Sequence, residues 1–199
     1  MTDFFSLLDE ARRPWLDPDS LKKKFLAFSG QAHPDRVHNA DKSQKEAAHQ
    51  RYTELNAAYN CLRDPKDRLR HLLELERGSK PGDLQQIPQG LMDMFTQVSQ
   101  VCRETDSFLA EKEKINSPLI KLQFFERSHL WIEKLTAIQH MLNQWHETLT
   151  SDLKANDALW SSPSNRPQVL ERLDGLYRLF GYFNRWSAQI QERIARLSF

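Results

Sequence analysis

Glycine is scarce in this 199-residue chain, with six, and cysteine scarcer still, with two. So little glycine, beside abundant Leu, Lys, Glu, Gln and Ala, argues against a sheet protein rich in tight turns and for long helices. Cys61 and Cys102 cannot form a CxxC pair, which excludes a cysteine-based zinc site. Each falls on the apolar stripe of a predicted helix, where a thiol acts as a small buried hydrophobe. The net charge is only +1, and the two halves are balanced: residues 1–78 carry 14 basic and 13 acidic side chains, the remainder 14 of each. No global field draws the chain to nucleic acid or to an anionic membrane, so electrostatic recognition has to come from local clusters. No apolar run of ~18 residues could span a bilayer, and the opening Met1-Thr2-Asp3-Phe4-Phe5 lacks the basic region and apolar core of a signal peptide. A reducing cytoplasm is the expected location. The seven histidines form no HxxxH pair, and the chain has no P-loop, GxSxG or GxGxxG. Neither metal, cofactor nor enzymatic activity is expected.

What the chain does have is helical periodicity, broken once. Gly78-Ser79-Lys80-Pro81-Gly82-Asp83, with Pro88 and Gly90 close behind, is the densest breaker signal. It divides the chain into residues 1–78, a linker at 79–90, and 91–199. Before the break the pattern predicts four helices. Phe4 to Leu8 is a short apolar turn. A helix from about Ser20 to Ala32, capped by Asp17 or Asp19, aligns Leu21, Phe25 and Phe28 at i, i+4, i+7. It stops at Pro34, since the residue before proline is driven out of the α region. After a polar loop at 36–42, a third helix runs from about Ser43 to Arg63, with Ala48, Tyr52, Leu55, Tyr59 and Leu62 on one stripe. A fourth opens at Asp64-Pro65, a cap followed by proline at the first helical position, and ends at Gly78.

After the break come three long amphipathic patterns. One holds Leu91, Met94, Val98, Val101 and Phe108; another Leu135, Ile138, Leu142, Trp145 and Leu149; the last Leu173, Leu176, Phe180, Phe183, Ile190, Ile194 and Leu197. Three such helices need one another and imply an antiparallel bundle. The fold class is therefore all-α. Trp131, Trp145, Trp160 and Trp186 are expected in the core or between helices.

One loop carries chemistry. His33-Pro34-Asp35 follows the second helix. Pro34 fixes its own φ and so stiffens the display of its neighbours. Asp35 offers a carboxylate suited to a partner's arginine, and His33 a ring with two hydrogen-bonding nitrogens. Lys22, Lys23, Lys24 and Arg36 are the densest basic cluster of the first 78 residues, able to steer them onto an acidic surface. As a hydrolase, His33 and Asp35 lack a nucleophile and an oxyanion site at any evident spacing.

In order along the chain stand Leu21-Lys22-Lys23-Lys24-Phe25, Phe28, His33-Pro34-Asp35, Leu55-Asn56-Ala57-Ala58-Tyr59, Leu62-Arg63-Asp64-Pro65 and Arg68. Together these resemble a J-domain. Phe5-Ser6-Leu7-Leu8, Trp15-Leu16-Asp17 and Asp64-Pro65-Lys66-Asp67-Arg68-Leu69-Arg70-His71-Leu72-Leu73-Glu74-Leu75 are similar to the HscB/Jac-type iron–sulfur co-chaperones, with His71 where an aromatic is more usual. The resemblance implies a J-domain followed by a three-helix bundle. It implies stimulation of the ATPase of a DnaK/HscA-type chaperone through Lys22, Lys23, Lys24, His33, Pro34, Asp35 and Arg36, and delivery of a client, an iron–sulfur scaffold. Leu91, Met92 and Phe95 match the apolar client-binding patch of that family, whereas Thr96, Ser99 and Arg103 stand where its acids would be. Leu91 and Phe95 share a stripe with Val98 and Cys102 and are expected in the core; Met92 lies off it and is expected at the surface. The alternatives are a J-domain co-chaperone with another client, or a helical adaptor whose J-domain is vestigial.

Overall fold

A computed structural model describes residues 2–33, 41–82, 89–115 and 117–198. Among them all regular structure is helical: α1 (Phe4–Leu7), α2 (Pro18–Gln31), α3 (Lys42–Arg63), α4 (Pro65–Arg77), α5 (Met92–Lys112), α6 (Pro118–Trp160) and α7 (Arg166–Ser198), with a 3₁₀ turn at Gln89–Leu91 before α5. The chain forms two compact units, residues 1–82 with 150–178, and residues 83–149 with 179–199.

Local chemistry sets the helix ends in the first unit. Asp17, Asp41 and Asp64 each turn a side-chain oxygen back to a first-turn amide, of Ser20, Gln44 and Asp67 respectively. Of the two candidates for the α2 cap it is Asp17 that serves, one residue before Pro18. Gly78 closes α4 at φ 72°, a left-handed conformation that costs glycine little. α3 starts at Lys42 because Asp41, in a stretch expected to be loop, is its cap.

Apolar burial then assembles α1 to α4. Phe5, Leu8, Leu21, Leu55, Leu62, Leu69, Leu72 and Leu73 have at most 1% of their surface exposed. Residues 150–178 add Leu153, Trp160, Val169 and Leu173 to the buried set of the same unit.

Several buried polar side chains of the first unit reach backbone groups distant in sequence. Arg68 is enclosed, donating from Nε to the Pro14 carbonyl (2.8 Å) and from Nη1 to the Leu62 carbonyl (2.6 Å), one of the last-turn acceptors that a helix end leaves unpaired. Burial without a carboxylate contact brings its pKa down to about 10. Asp157 accepts from the Arg13 guanidinium (Nε, 3.0 Å, and Nη2) and from the Trp15 amide (3.0 Å). Trp160 Nε1 donates to the Arg12 carbonyl (2.7 Å). The segment between α1 and α2 is thus held by residues far along the chain.

The second unit relies on rings. Phe108 stacks on Phe124 (5.3 Å), with the Arg127 guanidinium over both. Trp145 stacks on Phe183 (5.8 Å), Phe183 meets Trp186 edge-on (5.4 Å), and Trp186 lies 6.5 Å from Phe95. Trp160 and Trp186 are buried, and Trp145 packs between α6 and α7 on Phe183 while staying 40% exposed. It shares a stripe with buried Leu142 and Leu149, yet the stripe is wider than what covers it. Cys61 and Cys102 are free and buried. Among the described residues no helix is long and apolar enough to cross a membrane, and no group of three or more His, Cys, Asp or Glu could hold a metal ion.

Candidate functional site

The His-Pro-Asp segment leaves the C-terminal end of α2. Two ring contacts fix how α2 lies on α3. Phe25 stacks on Tyr59 (centroids 4.2 Å, planes 11° apart), and the edge of His33 meets Tyr52 (5.4 Å). Residue numbers rise on α2 as they fall on α3 and keep a nearly constant sum, so the pair is antiparallel. Tyr59, expected in the core, is half-buried, its ring capped by Phe25 on one side and approached by the Arg63 guanidinium at 5.7 Å. His33 is exposed where α2 ends. Pro34, Asp35 and Arg36 lie outside the described residues.

The basic cluster divides. Lys22 and Lys23 are exposed on α2. Lys24 instead pairs with Glu10 (3.0 Å), and its ammonium also donates to the Asp9 carbonyl. Asp9 has φ 51°, a left-handed conformation that aspartate tolerates better than most side chains. Lys24 therefore braces the turn after α1, and the cationic surface of α2 is that of Lys22 and Lys23. Leu26 stands one turn on, 57% exposed. It lies off the Leu21, Phe25, Phe28 stripe, which is the signal that marks it as outward-facing.

In the second unit, Leu91 is buried while Met92 and Phe95 are 45% and 37% exposed. Met92 is at the surface as its position off the stripe implies, but Phe95 is not the core residue its spacing suggested: its ring lies 6.5 Å from that of Trp186 and the residue stays partly exposed. Thr96, close by, turns its hydroxyl back to the Met92 carbonyl (2.8 Å). Met92 and Phe95 thus form an exposed apolar spot on the first turn of α5, next to buried Leu91 in sequence. Such a surface, with an unbranched thioether beside an aromatic ring, suits adaptable protein contact.

No family model matches the chain. By sequence it is similar to curated proteins named co-chaperone protein HscB homolog. It is 37% identical over 73 residues to the one from Chromobacterium violaceum, covering 37% of this chain and 42% of that protein. It is 39% identical over 72 residues to the one from Bordetella pertussis (36% and 42%), and 41% identical over 71 residues to the one from Burkholderia mallei (36% and 41%). The matched stretch thus spans about two fifths of the length of these relatives. By fold the chain is similar to the crystal structure of human co-chaperone protein HscB, with a TM-score of 0.62 at 18% identity, over 96% of this chain and 81% of that one. Chaperone HscB from Vibrio cholerae gives 0.57 at 19%, over 96% of both chains. The fold is accordingly the all-α one expected, a J-domain followed by a C-terminal helical bundle.

Proposed function

We propose that this protein is an HscB-type J-domain co-chaperone. Residues 1–78 act on a DnaK/HscA-type chaperone, stimulating its ATPase, and residues 91–199, beyond the linker at 79–90, carry a client. The observation that bears most weight is the pairing of α2 with α3, which puts His33 at an exposed helix end with Lys22 and Lys23 exposed on the same helix. Asp35 gives the partner a carboxylate on a proline-stiffened loop, and the two lysines steer the approach. ATP is hydrolysed by the partner, so this chain supplies recognition and no catalytic group. The steady-state ATPase of a DnaK-type chaperone should rise saturably as the chain is added, and Asp35→Asn should remove the rise without altering the unfolding midpoint. A flat response to the wild type contradicts the reading.

The client reading rests on Met92 and Phe95, next to buried Leu91 in sequence. An iron–sulfur scaffold is the client that resemblance favours, with the cytoplasm as the site of action. Against it, Thr96 and Arg103 are exposed and uncharged or cationic where acids would be needed to match that family. This favours, as the second reading, a co-chaperone of the same mechanism with a different client. Pull-down against a scaffold protein at micromolar concentration separates the two: capture lost in the double variant Met92→Ala, Phe95→Ala supports the scaffold, and no capture by the wild type supports the alternative.

A further inference from the structure

His71 on α4 is surrounded by the N-terminal segment. Its Nε2 accepts the Phe4 amide (3.0 Å), and its ring stacks on Phe4 (4.6 Å) and, at longer range, on Phe5 (5.8 Å). Phe4 is the first residue of α1, so its N–H is one of the donors a helix start leaves without an internal partner. Asp3 takes the next two, of Phe5 and Ser6. His71 thereby completes the cap of α1 from another helix. To accept at Nε2 the ring must be neutral, with its proton on Nδ1; an imidazolium has two donors and no acceptor.

We propose that His71 is an acid-sensitive clasp: protonation of its ring takes away the acceptor for Phe4 and releases α1 from α4. Charged groups act on the ring in both directions. Asp3 and Glu74 favour the imidazolium, but Asp3 is paired with Arg12 (2.8 Å), and Arg70, itself paired with Asp67 (3.3 Å), opposes it. From α3 the buried Cys61 thiol lines the same cavity as the ring, and burial raises its pKa to about 11 and keeps it neutral. Burial is the largest influence on His71 and pushes it below the ordinary 6.5. A cavity of about 420 Å³, bordered by Phe4, Cys61, Arg70, Glu74 and Lys80, adjoins the ring and gives a proton a route to it. A folded pKa below the unfolded one means that the unfolded chain binds more protons in the window between them. The clasp's contribution is therefore complete above pH 6.5 and lost as pH falls through the folded value.

The test is NMR on the full chain, following the His71 ring together with the hydrogen-exchange protection of the Phe4 amide, corrected for intrinsic rate, from pH 7.5 to 5. His71 should titrate below 6.5, and Phe4 protection should fall at least tenfold along the same curve. His71→Gln, which keeps an acceptor that does not titrate, should hold Phe4 protection constant. A His71 midpoint at or above 6.5, or Phe4 protection unchanged through the titration, overturns the proposal. So does an equal acid loss in His71→Gln. If that variant does not fold, the wild-type curves alone decide.

Discussion

In the unit of residues 1–82 and 150–178, buried polar side chains are tied to backbone groups far away in sequence: Arg68 to Pro14, Asp157 to Trp15, Trp160 to Arg12, His71 to Phe4. In the unit of residues 83–149 and 179–199 the enclosed side chains are mostly aliphatic or aromatic; Thr105 and Ser128 are buried polar residues there, and Arg193 reaches the Cys102 carbonyl (3.3 Å). Among its arginine–carboxylate pairs, Asp106 on Arg193 (2.6 Å) keeps 43% of the carboxylate side chain in solvent, against 6% for Asp157 on Arg13 in the first unit. The contrast follows from what each unit must hold. Short helices joined by irregular segments leave many backbone donors and acceptors to be satisfied inside. Long helices satisfy their own, and need only a covered apolar stripe. A surface built the second way can stay partly uncovered, as Met92, Phe95, Trp145 and Phe125 are.

The two units should respond alike to loss of apolar packing. Leu62→Ala in the first and Phe180→Ala in the second should each cost about 3–5 kcal/mol in denaturant unfolding, since both side chains are fully enclosed. A cost under about 1 kcal/mol for Leu62→Ala would mean that the polar ties, and not the leucines, hold the first unit. Carboxylate loss should separate them. Asp157→Ala strands the Trp15 amide and should cost about 2 kcal/mol, whereas Asp106→Ala, which removes a carboxylate 43% exposed and leaves no backbone amide stranded, should cost less than about 1 kcal/mol. Equal costs would erase the distinction. At the small end, Phe125→Ser should leave stability within about 0.5 kcal/mol, because 70% of that side chain already faces solvent. A larger loss would reveal a contact that the fold does not account for.

The readable parts of the fold were those fixed by neighbours in sequence. Asp64-Pro65 and Gly78 bracket α4 by local chemistry alone, and the Leu21, Phe25, Phe28 stripe identifies the buried face of α2. Periodicity says which face of a helix is apolar but not how much of it meets a partner. That is why Phe95 and Trp145, on the same stripes as enclosed neighbours, stay partly exposed. The Asp41 cap carries no local signal, because aspartate inside a polar run looks like the loop it ends. Asp157 had no signal, since its partners lie 144 and 142 residues away and nothing local marks a carboxylate as enclosed. Of the candidate docking residues, Lys22, Lys23 and His33 are exposed, while Lys24 is taken by Glu10, a pairing across a turn that spacing does not announce.

Whether this chain acts through its His-Pro-Asp motif on a chaperone ATPase is decided by single-turnover ATP hydrolysis. A DnaK-type chaperone preloaded with ATP is mixed with buffer, with the wild type or with His33→Gln, the variant first shown to unfold at the wild-type midpoint. Faster hydrolysis with the wild type, lost in His33→Gln, is the predicted result. Hydrolysis unchanged by the wild type, or stimulated equally by both proteins, would contradict it and leave a helical adaptor whose J-domain is structural only.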